Sequence, residues 1–170
     1  IDVFLNNPLF ILLDGHNGEF SSEYCKRNLL RILNDIYKKE EKEGIEKDII
    51  KFYKSIFLKL ILELEKDLLQ YSMEHTSGTN ITMIYLLDDY IISVNLGDSR
   101  SILIHNNFTY NELTFDHKPY KPFEKKRIEK NNGNISNGLI NGILKSSRSL
   151  GNFKYKKSTL QDEQIISNVP

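Results

Sequence analysis

The sequence predicts an α+β fold in which two long helices and a run of antiparallel strands occupy separate stretches of the chain. Two observations support this prediction. Between residues 20 and 70, apolar residues recur at intervals of three and four, which is typical of amphipathic helices. From Asn80 onwards they alternate with polar residues between turn-forming residues, which is typical of antiparallel strands. A doubly wound parallel sheet, which needs strands and helices in alternation, is disfavoured.

The first predicted strand is a short apolar run from Pro8 to Leu13. It is followed by Asp-Gly-His-Asn-Gly at residues 14–18, where two glycines within five residues predict a turn. Either Ser21 or Ser22 is expected to cap the next helix, which we predict to end near Lys39.

The strongest periodic pattern extends from Ile45 to Leu68, after a charged connector at residues 39–44. It predicts a long helix that covers one face of a sheet. A partner-binding zipper is disfavoured, because the apolar stripe is broad and lacks the charge pairing of a heptad repeat.

The second half of the chain predicts strands and one short helix. Residues 81–87 and 90–96 predict a hairpin around the turn Asp88-Asp89. The other elements are two strands that continue an antiparallel meander, a helix and a turn-rich stretch: Arg100–His105, Phe108–Phe115, Phe123–Lys130 and Asn131–Asn137.

Composition excludes several classes of function. With 23 Lys and Arg against 23 Asp and Glu, and a pI of about 7.1, the protein has no positive field with which to bind nucleic acid. The longest apolar run, Leu9–Leu13, is far shorter than the ~20 residues that span a bilayer, and no leader sequence is recognisable. We therefore expect a soluble protein without a membrane span.

The single cysteine, Cys25, cannot form an internal disulfide, which favours a reducing compartment such as the cytoplasm or nucleus. The length of 170 residues suits one domain. Since the sequence begins at Ile1 and ends at Pro170 in a strand-like run, we interpret residues 1–170 as part of a longer protein.

Asp14 and Gly15 are the first candidates for chemistry. A carboxylate beside an unshielded glycine carbonyl offers two hard oxygen donors, which suit Mg²⁺ or Mn²⁺. His16 could donate a proton near neutral pH. The alternative is a glycine-rich turn in which Asp14 only caps backbone amides. A calcium loop is disfavoured, because Cys25 stands where a bidentate glutamate is expected.

In their order along the chain, these segments resemble the metal-dependent protein serine/threonine phosphatases of type 2C. Asp14-Gly15-His16 is similar to the family's Asp-Gly-His segment, residues 95–100 to its Asn-x-Gly-Asp-Ser-Arg hairpin, and residues 113–119 to its Leu-Thr-x-Asp-His-Lys-Pro block. Further similar segments are residues 77–80, 124–133, 141–151 and 163–166, so the resemblance covers nearly the whole chain.

The resemblance implies a four-layer α-β-β-α sandwich of two antiparallel sheets flanked by helices, with two Mg²⁺ or Mn²⁺ ions at one end. Asp14 would bridge both ions, Gly15 would supply its carbonyl oxygen, and His16 would protonate the leaving serine or threonine oxygen. Asp98 would shape the site or hold a third, weaker ion. The implied reaction is hydrolysis of phosphoserine and phosphothreonine by a metal-activated water.

The sequence departs from the family pattern at Asn152, where the family has a metal-binding carboxylate. An amide oxygen can still bind a hard cation, but the site loses one negative charge, so we expect weaker metal binding. The family's upstream Arg and acidic pair and its late Asp-Gly strand are not within residues 1–170. We therefore expect a partial domain, lacking the N-terminal and C-terminal catalytic segments, that is inactive alone.

Two functions remain open at this stage. The first is a phosphatase that acts on phosphoproteins, as a monomer, when its chain is complete. The alternative is a pseudophosphatase, a binding or scaffolding module in which Asn152 has weakened the metal site.

Overall fold

The computed structural model describes residues 1–44 and 48–156 and confirms an α+β fold with antiparallel sheets. Five strands form the main sheet, in the order β1-β2-β3-β4 with β9 also paired to β3. Two further sheets have two strands each. The elements are β1 (Asp2–Phe4), β2 (Asn7–His16), α1 (Phe20–Glu43), α2 (Ile49–Leu69), β3 (Gly78–Leu87), β4 (Tyr90–Leu96), β5 (Ile102–Ile104), β6 (Tyr110–Glu112), α3 (Pro122–Lys130), β7 (Ile135–Ser136), β8 (Leu139–Ile140) and β9 (Leu150–Gly151).

The hydrophobic core lies between the main sheet and the helix pair α1 and α2. On β3, alternate residues face the helices, as a strand period of two requires. The α2 residues at three- and four-residue spacing pack onto them, as predicted. The central members of this core are all buried: Ile81, Met83, Tyr85, Ile56, Leu60, Ile61 and Leu64.

The two long helices begin differently from the prediction. Neither Ser21 nor Ser22 caps α1, whose N-cap is Glu19 and has no side-chain cap bond. The hydroxyl of Ser21 instead donates to the carbonyl of Ser77 at 3.0 Å, which ties α1 to the start of β3. Helix α2 is capped by the Asp48 carboxylate, which accepts two backbone N–H groups.

The end of α1 differs from the prediction, whereas α2 ends at Leu69, next to the predicted Leu68. Helix α1 continues to Glu43, one turn beyond the predicted end near Lys39. Residues 45–47, where the second helix was expected to begin, lie outside the described residues, as does the 163–166 segment.

Two predictions about strands are wrong in detail. Strand β2 continues through Gly15 and His16, which pair with Thr79 and Gly78, so the turn begins only at Asn17. The predicted meander breaks between β4 and β5, although the antiparallel pairing of its last two strands, β5 and β6, is confirmed in a separate sheet. The short strands β1, β7, β8 and β9 were not predicted, since two- and three-residue strands carry little periodicity.

A buried ion pair fixes β9 and the residues after it against α2. Glu65 and Lys156 contact each other with almost no exposure of either side chain. Glu65 also accepts the backbone N–H of Gly151 at 2.9 Å, and Lys156 donates to the carbonyl of Ser149 at 2.8 Å. Both charged groups of the pair are thus satisfied, and their contacts hold the residues on either side of Asn152 against α2.

None of the helices in the described part of the chain has the length and sustained apolar character that crossing a bilayer requires.

The core position Leu60 provides a test of this packing. We expect Leu60→Ala to lower the free energy of unfolding by about 2 to 5 kcal/mol, because it leaves a cavity between α2 and the sheet. The matched control is Leu62→Ala on the same helix, where the side chain is 38% exposed, with an expected loss below about 1 kcal/mol. Urea denaturation measures both, and equal losses would contradict this placement of the core.

Candidate metal centre

Asp14, Gly15 and His16 form the end of β2. Antiparallel pairing places Asp14 opposite Asn80 on β3, so the two side chains share the sheet face that points away from the helices. Asp14 is exposed and His16 is half-buried. The carboxylate therefore extends from the end of the main sheet on the face away from the helices, and its role as a metal ligand stays a prediction.

Asp98 lies immediately beyond the end of β4 and faces Asp14 across Asn80. The amide nitrogen of Asn80 donates to Asp98 Oδ1 at 2.7 Å and to Asp14 Oδ2 at 3.3 Å. The other oxygen of Asp98 accepts a hydrogen bond from the ammonium group of Lys118, and the two form a largely buried ion pair. Lys118 thus neutralises Asp98, whereas Asp14 has no ion pair among the described residues.

Asn152 is almost fully buried and contacts the proposed proton donor. Its amide nitrogen lies 2.6 Å from His16 Nε2 and 2.9 Å from Ser149 Oγ. The amide occupies space that only a glycine at position 78 leaves free, because a Cβ there would come within 2.4 Å of it. Asn152 therefore orients the His16 ring, and its predicted role as a metal ligand stays a prediction.

Asp14, His16 and Asp98 line one cavity of about 240 Å³. The structure thus brings together three of the residues that the sequence singled out from distant segments. The other residues around this cavity are Asn17, Asn80, Ile143, Leu144, Lys145 and Ser146.

The donors at this cavity suit a hard dication in type. The Asp14 carboxylate is free of basic partners in the described chain, and the Gly15 carbonyl is its neighbour. In the described residues no group of three or more His, Cys, Asp or Glu side chains is placed to hold a metal ion. The residues present therefore fit part of a coordination shell.

The charged residues of the later motifs form a buried network behind the cavity. Glu124 of α3 binds the guanidinium groups of Arg148 and Arg127, each at 2.7 Å, and the Ser147 hydroxyl at 2.6 Å. Burial alone would raise the pKa of Glu124, but the hydrogen bonds from Arg148, Arg127 and Ser147 outweigh it and lower the pKa to about 2. These contacts join α3 to the loop before β9.

His117 connects this network to the Asp98 turn. Its backbone N–H donates to the Gly97 carbonyl at 2.8 Å, and its ring nitrogen Nδ1 accepts the Gly97 N–H at 3.0 Å. Burial, together with the nearby Arg148 guanidinium, lowers the pKa of His117 to about 4. His117 is therefore neutral at pH 7 and serves as an acceptor that holds the turn.

The Arg100 side chain joins two segments of the fold. Its guanidinium forms two hydrogen bonds with the Asp116 carboxylate, at 3.0 and 2.9 Å, and a third with Glu112 at 2.8 Å. Arg100 therefore connects the end of β4 with Glu112 on β6 and with Asp116 in the segment after β6.

The family model for protein phosphatase 2C matches residues 6–170. The chain belongs to the protein phosphatase 2C family. "Probable protein phosphatase 2C 2" of Paramecium tetraurelia is 35% identical over 179 residues, which covers 99% of this chain and 58% of that protein. "Protein phosphatase 1L" of Bos taurus is 35% identical over 153 residues, which covers 87% of this chain and 42% of that protein. The chain thus spans about half the length of these relatives.

Solved structures support the fold of this phosphatase 2C chain. The crystal structure of a phosphatase from Toxoplasma gondii superposes with a TM-score of 0.74 at 21% identity, over 98% of this chain and 63% of that one. The crystal structure of serine-threonine phosphatase 2C from Toxoplasma gondii gives a TM-score of 0.74 at 20% identity, over 95% of this chain and 61% of that one.

Sequence reasoning missed two contacts at this candidate site. It did not single out Asn80, which bridges Asp14 and Asp98, or assign a partner to Lys118. The only local signal was the position of Asn80 at the start of a strand, and its partner became visible only through the β2–β3 register.

The low pKa of Glu124 predicts a pH-dependent contribution to stability. Because the folded pKa lies below the ordinary 4.5, this contribution is present above pH 4.5 and is lost as the pH falls towards 2. We expect the difference in unfolding free energy between wild type and Glu124→Gln to shrink by on the order of 2 kcal/mol between pH 6 and pH 3.

Urea denaturation at several pH values measures this difference. Glu129→Gln on the same helix, where the carboxylate is exposed and paired with Lys125, serves as the control and should show little pH-dependent difference. A wild-type advantage over Glu124→Gln that stays constant down to pH 3 would refute the contribution of the buried network.

Proposed function

We propose that the protein containing this chain is a metal-dependent phosphatase that hydrolyses phosphoserine and phosphothreonine in proteins. The observation that carries the proposal is the convergence of Asp14, His16 and Asp98 on one cavity at the end of the main sheet. Membership of the protein phosphatase 2C family supports the reaction class.

The residues of this chain have distinct roles in the proposed reaction. Asp14, with the carbonyl oxygen of Gly15, would hold Mg²⁺ or Mn²⁺, and Asn80 would keep the carboxylate in place. His16 would donate a proton to the leaving serine or threonine oxygen, its ring oriented by Asn152. When bound, two such cations lower the pKa of a shared water and neutralise charge on the phosphoryl oxygens.

The state of Cys25 argues against cysteine chemistry at this residue. Its side chain is fully buried in the core, and burial together with the Glu65 charge raises the pKa of the thiol to about 12. A thiol of this kind is protonated and inaccessible, so it does not serve as a nucleophile.

We propose that the substrates are phosphoproteins of the cytoplasm or nucleus and that the protein acts as a monomer. The cavity has a volume of about 240 Å³, and the apolar residues Ile143 and Leu144 are among the residues that line it. These residues and Lys145 belong to a loop, where contacts with different substrates are readily varied.

A pseudophosphatase remains the second candidate, and one observation favours it. Asn152 stands where the family has a metal-binding carboxylate, and its amide group contacts His16 and Ser149. With one negative charge fewer, the site would offset less of the charge of two dications. The two functions differ in whether the complete protein binds metal tightly and turns over substrate.

Asp14→Asn tests the metal-dependent mechanism. In the complete protein with Mn²⁺, we expect hydrolysis of a phosphothreonine peptide to fall by about 100-fold or more, because the substitution removes the charge that holds the cation. The control is Asp35→Asn on α1, an exposed carboxylate remote from the cavity, which should retain wild-type activity. Undiminished hydrolysis by Asp14→Asn would exclude the mechanism.

Asn152→Asp distinguishes the two functions. Aspartate has the same size as asparagine, so the space over Gly78 accommodates it, and its added charge should strengthen Mn²⁺ binding about tenfold. Calorimetry and peptide hydrolysis are measured on wild type, Asn152→Asp and the control Asn107→Asp, an exposed turn residue. Measurable wild-type hydrolysis supports the phosphatase, whereas turnover found only in Asn152→Asp supports the pseudophosphatase.

A further inference from the structure

Asn80 occupies an unusual position between two acidic side chains. It lies near the start of β3, is 3% exposed, and is buried at the end of the sheet where the candidate site begins. Its single amide nitrogen reaches Asp98 at 2.7 Å and Asp14 at 3.3 Å. Since an NH₂ group has two hydrogens, one amide can serve both carboxylates at once.

The chemistry of the neighbours fixes the orientation of the Asn80 amide. If the group were turned by 180°, its oxygen would face two carboxylate oxygens, and three acceptors would meet without a donor. In the orientation seen, no donor of the described residues pairs with the amide oxygen, which is buried. Leaving this buried oxygen unpaired is unfavourable, and the two hydrogen bonds that the amide nitrogen donates to the carboxylates offset that cost.

The backbone at Gly97 provides the space for this bridge. Its φ of +121° is a conformation that side chains with a Cβ rarely adopt. A Cβ at this position would also come within 2.3 Å of the Asn80 amide. The Gly97 turn thus lets the amide lie between the two strand ends and places Asp98 on its far side.

The charges around the bridge are unequal. Lys118 neutralises the far oxygen of Asp98, so Asp98 is anchored on two sides, by the ammonium and by the Asn80 amide. Asp14 receives only the weaker, 3.3 Å hydrogen bond from the same amide. Asp14 is therefore oriented by a neutral donor, the Asn80 amide, which leaves the negative charge of Asp14 available to a cation.

We propose that Asn80 is a positioning residue, which fixes the Asp14 carboxylate by an amide bridge to the Lys118-anchored Asp98. This inference rests on the proposed function for the identity of the cation that Asp14 receives. The bridge itself is a property of the folded chain and can be tested without metal. Groups that hold a metal ligand in place commonly change metal affinity by 10- to 100-fold when removed.

The first arm of the test measures Mn²⁺ affinity of the complete protein by titration calorimetry with Mn²⁺ alone. We expect Asn80→Ala to weaken Mn²⁺ binding about tenfold or more. Asn34→Ala is the control, because the half-buried Asn34 amide also donates a hydrogen bond, but to the Leu30 carbonyl on α1 and not to a carboxylate at the cavity. It should keep Mn²⁺ affinity within about twofold. Equal affinity losses in both variants would overturn the proposal.

The second arm measures thermal unfolding in EDTA at pH 8. Asn80→Asp keeps the size of the side chain but replaces the shared donor with a third carboxylate facing Asp14 and Asp98. We expect it to unfold at a lower temperature than Asn80→Ala, and Mn²⁺ to raise its unfolding temperature more than that of wild type. An unfolding temperature of Asn80→Asp in EDTA equal to that of wild type would overturn the bridge.

The two arms separate this proposal from the proposed function. If wild type binds no Mn²⁺, the metal-dependent function fails, and the EDTA measurement still decides the bridge. A lowered unfolding temperature of Asn80→Asp then supports the bridge, and an unchanged one refutes it. If wild type binds Mn²⁺ and Asn80→Ala binds it equally well, the function stands and the positioning role of Asn80 falls.

Discussion

The register of β2 on β3 is the constraint on which the rest of this structure depends. Eight residue pairs, from Leu9 with Tyr85 to His16 with Gly78, set which side chains face the helices and which face away. A shift by one residue would turn the buried apolar residues of β2 outwards and separate Asp14 from Asn80. Core packing, which strongly favours one register, therefore also brings Asp14 beside Asn80, and the hydrogen bond from Asn80 to Asp98 completes this part of the candidate metal centre.

Ion pairing separates Asp14 from the other acidic residues of the sequence motifs. Glu124 is satisfied by two guanidinium groups, Asp116 by one, and Asp98 by the ammonium of Lys118. Of these four carboxylates in the described chain, Asp14 alone forms no ion pair, and it lines the cavity together with His16 and Asp98. The acidic residues that look equivalent in the sequence thus divide into those that join loops to each other and one that is left for a ligand.

Much of the fold was predictable because its signals are local. Helix α2 has an apolar stripe at three- and four-residue spacing, and the β3–β4 hairpin has alternating apolar residues around a turn at Asp88. Both elements were predicted within a few residues. Strand β9 was not predicted, since short strands are defined by their partners. The antiparallel pairing of β5 with β6 was predicted as part of the meander, but its separation from the main sheet was not. At the site, Asp14 and His16 could be singled out from their own segment. The Asn80 bridge could not, because it depends on residues 18 and 66 positions away.

The glycines at positions 78 and 97 have a consequence for how this end of the sheet can change over generations. Each leaves room for a neighbouring amide, of Asn152 in one case and Asn80 in the other, and neither site tolerates a methyl group while that amide is present. At position 78 a larger residue therefore requires that Asn152 be shortened first, so sequence variation at 78 and 152 should be correlated. At position 97 the positive φ disfavours a larger residue even without the Asn80 amide, so that glycine should be retained whatever stands at position 80.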